Sequence, residues 1–297
     1  MNFLVVGHSV VDKIIDKDRI SIKPGGIFYT VVSLISQINS DDKVYLCSSI
    51  DKENEMLFQD AYDRIEKEFL IYVDSIPKVE LVVNEVGERK ETYSQTAQNL
   101  LLPNVDLNRF DGILINMISG YDISLEQIKQ LRKNYDGLIY FDVHTFSRGV
   151  DKILNRIFRR INDFNAWAEC IDILQANESE LLTLSKQKDE ARIIDKLFSY
   201  GIKQIMVTRA ERGATVFFRE NNSVKKNHKD ALKTKVVNKI GCGDVFGAVY
   251  FYNYIKNKNV LLALQQANLF AGVATTYSEA KDFLNLKRDA NERISKK

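Results

Sequence analysis

At 297 residues, with 45% hydrophobic and 28% charged side chains, the chain is long enough for one large α/β domain and has the balance of a soluble globular protein. Its 42 Lys and Arg nearly cancel its 40 Asp and Glu, and a net charge of +2 excludes a global field for holding nucleic acid or an anionic membrane. Three cysteines, Cys47, Cys170 and Cys242, have neither zinc-site spacing nor the pattern of a small disulfide framework, which points to a reduced, cytoplasmic protein.

In chain order, Phe3–Val6 is a continuous apolar run ending in Gly7, as expected of a strand buried on both faces and not of a signal peptide. Comparable runs recur at Val44–Cys47, Gly112–Ile115, Leu138–Phe141, Ile171–Leu174 and Gln204–Val207. Helical patterns lie between them, at Ile27–Ile38, Glu53–Phe69, Leu125–Asn134, Glu178–Leu184 and Glu190–Tyr200. Strands alternating with helices predict a three-layer α/β/α sandwich around a mostly parallel sheet. No apolar run approaches the roughly 20 residues needed to cross a bilayer.

Two stretches break the alternation. Asp12–Ile22 runs into Pro24-Gly25-Gly26, and a second stretch from about Leu70 to Thr96 has Val79–Val83 and Arg89–Tyr93 flanking a Glu85-Val86-Gly87-Glu88 turn. Both read as exposed antiparallel strands outside the main sheet. Together they predict a discontinuous β lid, from about 12–26 and 70–97, on a single domain spanning 1–297. An exposed lid edge could pair with a second copy into a homodimer. Trp167 reads as a packing residue, and Lys225–Lys229, with Lys233 and Lys235, as a solvated hairpin. Beyond Gly243 the pattern is helical, over Asp244–Ile255 and Leu261–Thr275, and the basic end Lys287–Lys297 reads as a solvated helix terminus.

The most informative segment is Asn238–Ala248, where Gly241-Cys242-Gly243-Asp244 leads directly into a helix. Glycine lets backbone approach an anion closely, and the free N–H groups of a helix start favour negative charge. Asp244 alone could simply suit the helix dipole. Beside a Gly-x-Gly cradle, it is also a carboxylate able to take a proton from a hydroxyl attacking a bound phosphate. The chain has no G-x-x-x-x-G-K-[ST] loop, no G-x-G-x-x-G after the first strand and no G-x-S-x-G elbow. Its three histidines, His8, His144 and His228, have no metal-ligand spacing.

Gly25-Gly26, Asn177-Glu178-Ser179-Glu180, Thr208–Gly213 and Gly241–Asp244 together resemble, in order and separation, the motifs of the ribokinase-like (PfkB-type) carbohydrate kinases. The resemblance implies an ATP- and Mg²⁺-dependent kinase acting on a small-molecule hydroxyl. It implies that Asp12, Gly25 and Gly26 meet the substrate, and that Asn177 and Glu180 lie near Mg²⁺, through water. Thr208, Arg209 and Gly213 would approach ATP, the Gly241, Cys242 and Gly243 backbone would form an anion hole, and Asp244 would be the catalytic base. The Asn-x-x-Glu spacing equally suits a capped helix start.

The chain departs from the family pattern in several places. Asn238 and Lys239 replace Asp and Thr ahead of the glycines, which argues against a monovalent-cation requirement. Cys242 replaces Ala, and Ala210 stands where Gly is usual. On the substrate side Thr30 stands in for an Asn, and Asp142–Arg148 resembles the family's Asp-x-Asn-x-Arg region with His144 in place of Asn. His144 and Arg148 are therefore candidates for contacting the substrate or phosphates. These departures also admit a catalytically weakened member that acts as a ligand-binding or regulatory protein.

Overall fold

The computed structural model describes residues 1–17, 19–82, 90–95, 97–152, 155–221 and 223–295. The expected turn at Glu85–Glu88 lies outside the described residues, as do Val83, Arg89 and Thr96. The first third runs β1 (Asn2–Val6), β2 (Ser9–Asp16), β3 (Arg19–Gly26), α1 (Phe28–Gln37), β4 (Lys43–Ile50), α2 (Glu55–Tyr62), β5 (Leu70–Tyr72), β6 (Lys78–Val82) and β7 (Lys90–Gln95). The middle adds β8 (Gly112–Asn116), α3 (Leu125–Lys133), β9 (Leu138–Asp142), β10 (Arg148–Val150), β11 (Arg156–Phe158), α4 (Phe164–Ala168), β12 (Ile173–Asn177), α5 (Glu178–Leu181) and α6 (Glu190–Ser199). The last part holds β13 (Gln204–Thr208), β14 (Ala214–Glu220), β15 (Ser223–Lys229), α7 (Cys242–Asn257), α8 (Val260–Ala274) and α9 (Leu286–Ser295).

A nine-stranded sheet forms the middle layer, in the order β15-β14-β13-β12-β9-β8-β1-β4-β5. From β13 to β5 every neighbouring pair is parallel, and the antiparallel pairs are β13–β14 and β14–β15 at one edge, where β14 runs against the rest. The strands are apolar on both faces because both are covered. Phe3 and Val5 pack toward Phe28, Val249 and Phe251, whereas Leu4 and Val6 join Ile128, Leu131 and Ile193 on the other side. The α/β/α sandwich expected from the alternation is therefore present. Trp167 is a packing residue, tilted against Phe141 and Phe146 with ring centroids at 5.8 and 4.6 Å.

A separate four-stranded sheet, β3-β2-β6-β7, forms the lid. Three details differ from the expectation. The lid strands are not all antiparallel, because β2 and β6 pair in parallel and join two antiparallel hairpins. Residues 70–72 do not begin the lid, since β5 pairs with β4 at the edge of the main sheet. The helix expected over Glu53–Phe69 stops at Tyr62, because Glu66 turns back to exchange backbone hydrogen bonds with Val44 and Leu46 of β4, at 2.8 and 3.4 Å. A small hairpin, β10 with β11, was not anticipated; Asn155 beside it bridges to Thr92 of lid strand β7. Among the described residues no helix is long and apolar enough to cross a membrane.

Candidate active site

The carboxyl ends of the central strands bring a row of polar side chains together. Register sets Asn116 of β8 opposite Asp142 of β9, Asp142 opposite Gln175 of β12, and Asn177 opposite Thr208 of β13. The row lies beside β1, which β8 and β4 flank on opposite sides; a reversal of strand order of this kind opens a ligand crevice in α/β sheets. Helix α7 starts over this row. Its N-cap, Gly241, has φ 78°, a left-handed conformation that glycine adopts without strain, and a Cβ there would sit 2.5 Å from the Tyr29 ring.

Two amide side chains hold the start of α7. Asn116 Nδ2 donates to Asp244 Oδ1 at 2.7 Å and to Thr30 Oγ1 at 3.2 Å. Gln175 Nε2 donates to Asp142 Oδ2 at 2.8 Å and to the Gly243 carbonyl at 3.0 Å, and its Oε1 accepts from the Tyr140 hydroxyl at 2.5 Å. Gly247 is small for the same reason, because a Cβ there would meet Gln175 Oε1 and the Tyr140 hydroxyl at 2.9 Å.

Two pockets open here. The smaller, of about 50 Å³, is lined by Asp12, Gly26 and Tyr29, by Val79 and Leu81 of the lid, and by Ile118. The larger, of about 180 Å³, is lined by Asp142, Arg148, Gln175, Asn177, Glu180, Thr208, Lys239 and Gly243. Glu91, His144, Arg156, Gly241 and Asp244 line both, so the glycine turn and the Asp244 carboxylate stand at their junction. A broader crevice of about 840 Å³ between residues 101–108 and α3 shares no lining residue with either.

The residues singled out in the sequence fall into three groups. Asp12, Gly26, His144, Arg148, Asn177, Glu180, Thr208, Gly241, Gly243 and Asp244 line the pockets. A Cβ on Gly25 would lie 2.3 Å from the Asp12 carboxylate, so Gly25 makes room for that side chain. Thr30 is buried behind Asp244, which it meets through Asn116. Asn177 and Glu180 form a reciprocal capping box, at 2.8 and 2.9 Å, so their capping and their place in the larger pocket coexist.

The third group stands apart from the pockets' lining. The Arg209 guanidinium is engaged by Glu178 at 2.6 Å and Glu190 at 2.7 Å. Gly213, at φ 90°, lets the turn pass Lys229, whose carbonyl a Cβ would strike at 1.9 Å. Cys242 opens α7 with its Sγ 3.9 Å from the Asn238 carbonyl.

The electrostatics of the row are uneven. Burial, then the neighbouring Glu180 and Asp244 charges, raises the Asp142 carboxyl well above the usual range. Under the lid, His8 Nδ1 meets Asp122 Oδ1 at 2.9 Å and its Nε2 meets the Gln98 carbonyl at 3.0 Å. Burial pushes the Asp122 carboxyl up, but the charge and hydrogen bonds of His8 and the Ser119 amide outweigh it and leave it below its ordinary value. Among the described residues no three acidic, His or Cys side chains are grouped to hold a metal ion by themselves.

Sequence reasoning did not single out Asn116, Gln175, Glu91 or Arg156, and it quoted Asp142 only as part of a motif. Asn116, Asp142 and Gln175 had a usable signal, since each is polar at the carboxyl end of an apolar strand. Glu91 and Arg156 had none, because only the folded lid and hairpin bring them to the pocket.

A covered, mostly parallel sheet, a β lid and two pockets meeting at a glycine-rich helix start define a ribokinase-like fold. The pfkB family carbohydrate kinase model matches residues 144–286. Over its whole length the chain is similar to ribokinase from Thermotoga maritima, with 17% identity, 99% of each chain covered and a TM-score of 0.77. It is similar to aminoimidazole riboside kinase from Salmonella enterica, at 18% identity over 98% of this chain and 99% of that one, with a TM-score of 0.77. A pyrophosphate-dependent kinase of the ribokinase family matches at 14% identity, 96% and 99% coverage and a TM-score of 0.77. Curated proteins yield no match. The comparisons therefore show a ribokinase-like fold over the whole chain, with similarity to the pfkB family carbohydrate kinase model over residues 144–286.

Proposed function

We propose that this protein is a kinase that moves the γ-phosphoryl group of ATP onto a hydroxyl of a sugar, nucleoside or polyol, with Asp244 as base. The observation that carries this reading is that a pocket under the lid and a larger one over the strand ends share Gly241 and Asp244 as common walls. An acceptor beside Asp12 would present a hydroxyl to the Asp244 carboxylate, whose Oδ1 Asn116 holds in place. As the new O–P bond forms, the hydroxyl proton passes to Asp244 while the bond to the β-phosphate bridging oxygen breaks and ADP leaves. Backbone N–H groups over Gly241–Gly243 stabilise the charge on the transferred group.

Arg148, Asn177, Thr208 and Lys239 line the phosphate side, where ATP would lie. Asp142, Asn177 and Glu180 fit a Mg²⁺ ion held mainly by phosphate oxygens and water, since the acids are not grouped as a closed ligand set. When bound, that ion would neutralise phosphate charge. Lys239 supplies a fixed positive charge on this side, which supports activity without a monovalent cation. Lid residues Val79 and Leu81 exclude water, so that phosphate reaches the acceptor. The exposed Ile20 and Ile22 of lid-edge strand β3 support pairing with a second copy, and the free thiols support a cytoplasmic setting.

The test is ADP release from Mg·ATP across sugars, nucleosides and cyclitols, with pyrophosphate as a parallel donor and Asp244→Asn beside the wild type. An acceptor-dependent signal that collapses in Asp244→Asn supports phosphoryl transfer with Asp244 as base. Ligand-induced stabilisation without ADP would instead favour a weakened, ligand-binding member.

A further inference from the structure

The smaller pocket is shut. At about 50 Å³ it has room for a few waters, and an acceptor cannot enter unless Val79, Leu81 and Glu91 of the lid rise. What holds the lid down therefore controls the site. The lid order β3-β2-β6-β7 leaves β3 and β7 as its edges, and both edges are tied to the body of the molecule. On the β3 side Lys23 Nζ meets the Ser278 carbonyl at 2.8 Å and the half-exposed Glu279 at 3.1 Å, a surface contact of small worth.

The tie on the β7 side is built differently. The β10–β11 hairpin lies along β7, where Thr92 and Asn155 pair as an antiparallel bridge and Thr92 Oγ1 donates to Asn155 Oδ1 at 3.1 Å. Asp151 fixes Asn155 for this contact, accepting from its backbone amide at 2.9 Å and from its Nδ2 at 3.0 Å. Beside the bridge, Arg156 Nη1 donates to Glu91 Oε2 at 2.7 Å, Nη2 bonds the Tyr93 hydroxyl, and the guanidinium lies 4.3 Å over the Tyr93 ring. The same Nη1 donates to Thr145 Oγ1 at 2.9 Å, on the turn that follows β9. One guanidinium thus fastens Glu91 and Tyr93 of the lid to the end of the main sheet.

The energetics allow this fastening to release. The Arg156 and Glu91 side chains are 7% and 6% exposed, so their attraction is set against the cost of keeping both charges out of water. Lifting β7 separates them but rehydrates both. Arg156 Nε–H is sealed in the closed arrangement without a partner, a further cost that opening relieves. Resting on the kinase reading above, we propose that the β10–β11 hairpin is a latch for the lid and that Arg156 is its positioning residue. Closed, the latch docks β7 on the sheet end and keeps water from the site. An acceptor enters only those molecules in which Glu91 and Thr92 have let go, so the hairpin sets how readily the pocket opens.

The experiment uses the full chain and two readouts. Hydrogen exchange without ligands compares the wild type with Thr92→Val and Glu91→Gln, and with Lys23→Gln as a control at the opposite lid edge. Amides over 90–95 should exchange about tenfold faster in the first two variants and at the wild-type rate in Lys23→Gln, while those over 112–116 and 138–142 stay unchanged. The second readout is a cross-link, Thr92→Cys with Asn155→Cys. Residues opposed across an antiparallel bridge have Cα atoms about 4.5–5.5 Å apart, within the span of a disulfide. Mass mapping verifies the bond, and wild type carried through the same oxidation accounts for Cys47, Cys170 and Cys242. ADP formation, with whichever acceptor of the panel supports it, should fall about tenfold or more in the bridged chain and return with dithiothreitol.

Unchanged exchange over 90–95 in both variants overturns the latch. So does faster exchange that extends equally to 112–116 and 138–142, which would make these contacts supports of the whole fold. A bridged chain that turns over like the wild type, or two thiols that fail to join, overturns it as well. If no acceptor yields ADP while the lid amides respond as expected, the kinase reading fails and the latch stands.

Discussion

The two halves of the site are built differently. The larger pocket takes Asn177 and Glu180, Thr208, and Lys239, Gly241, Gly243 and Asp244 from three short stretches at strand ends and the start of α7, with Asp142 and Gln175 from neighbouring strands. The smaller pocket adds Asp12, Val79 and Leu81 from the lid, and shares Glu91, His144 and Arg156, from the lid, a short turn and a hairpin, with the larger one. Under the proposed function, phosphate would be held largely by local motifs at strand ends, and acceptor recognition would fall to side chains that the lid and the hairpin bring in from elsewhere in the chain.

The sharpest test of this contrast is Asp244, where the two halves meet. Asp244→Asn should lower kcat by about 10²- to 10⁴-fold with both binding affinities retained, as expected for loss of a general base. Measured by single-turnover ADP formation, a loss of only a few-fold would reduce Asp244 to a helix-start residue. Next in size is Gly241→Ala. It forces a left-handed backbone on a residue with a Cβ and drives that carbon into Tyr29, so stability should fall by about 1–3 kcal/mol, with a loss of phosphoryl transfer. An unchanged denaturation midpoint would show that the turn tolerates a side chain.

A smaller effect is expected at Asn116, which lines neither pocket but holds Asp244. Asn116→Leu should cut kcat about tenfold and leave the Michaelis constants for ATP and acceptor alone. A rise in either constant would instead make Asn116 part of a binding wall.

The subtlest contrast is in pH. The folded state raises Asp142, so it binds a proton that the unfolded chain has released. This makes the Asp142 contribution increasingly unfavourable as pH climbs from the ordinary carboxylate value of 3.8 to the raised one. Asp142→Asn should remove that dependence and raise Tm by a few degrees at neutral pH while impairing activity. Asp122 has the opposite sign. Its lowered value gives stability above pH 3.8 that is lost as pH falls through the folded-state value, and Asp122→Asn should abolish that loss in acid melts.

Much of the larger pocket was legible in the sequence, because the cues are local. Gly241 and Gly243 announce a close-approach turn, the following apolar run announces a buried helix, and Asn177 with Glu180 announces a capped start after a strand. The covered parallel sheet was legible for the same reason: Phe3–Val6 and its counterparts are apolar on every residue. Where the reading went astray, long-range pairing had overridden local pattern. Leu70–Tyr72 could pair with the lid or with β4, and only the packed chain chose β4. Glu53–Phe69 kept a helical pattern past Tyr62, yet the backbone of Glu66 found better partners on β4.

By itself, then, the sequence determined the α/β/α layering, the glycine-rich helix start and the acidic residue in its first turn, all set by contacts within a few positions along the chain. Tertiary structure alone decided that Asn116 restrains Asp244 from 128 residues away, that Gln175 links Asp142 to the helix start, and that Glu91 meets Arg156 across 65 residues. Such pairings depend on strand register and on how the lid closes over the sheet. A lone Glu on an exposed strand or a lone Arg in a hairpin has no local pattern that distinguishes it from a solvated charge until burial removes its water.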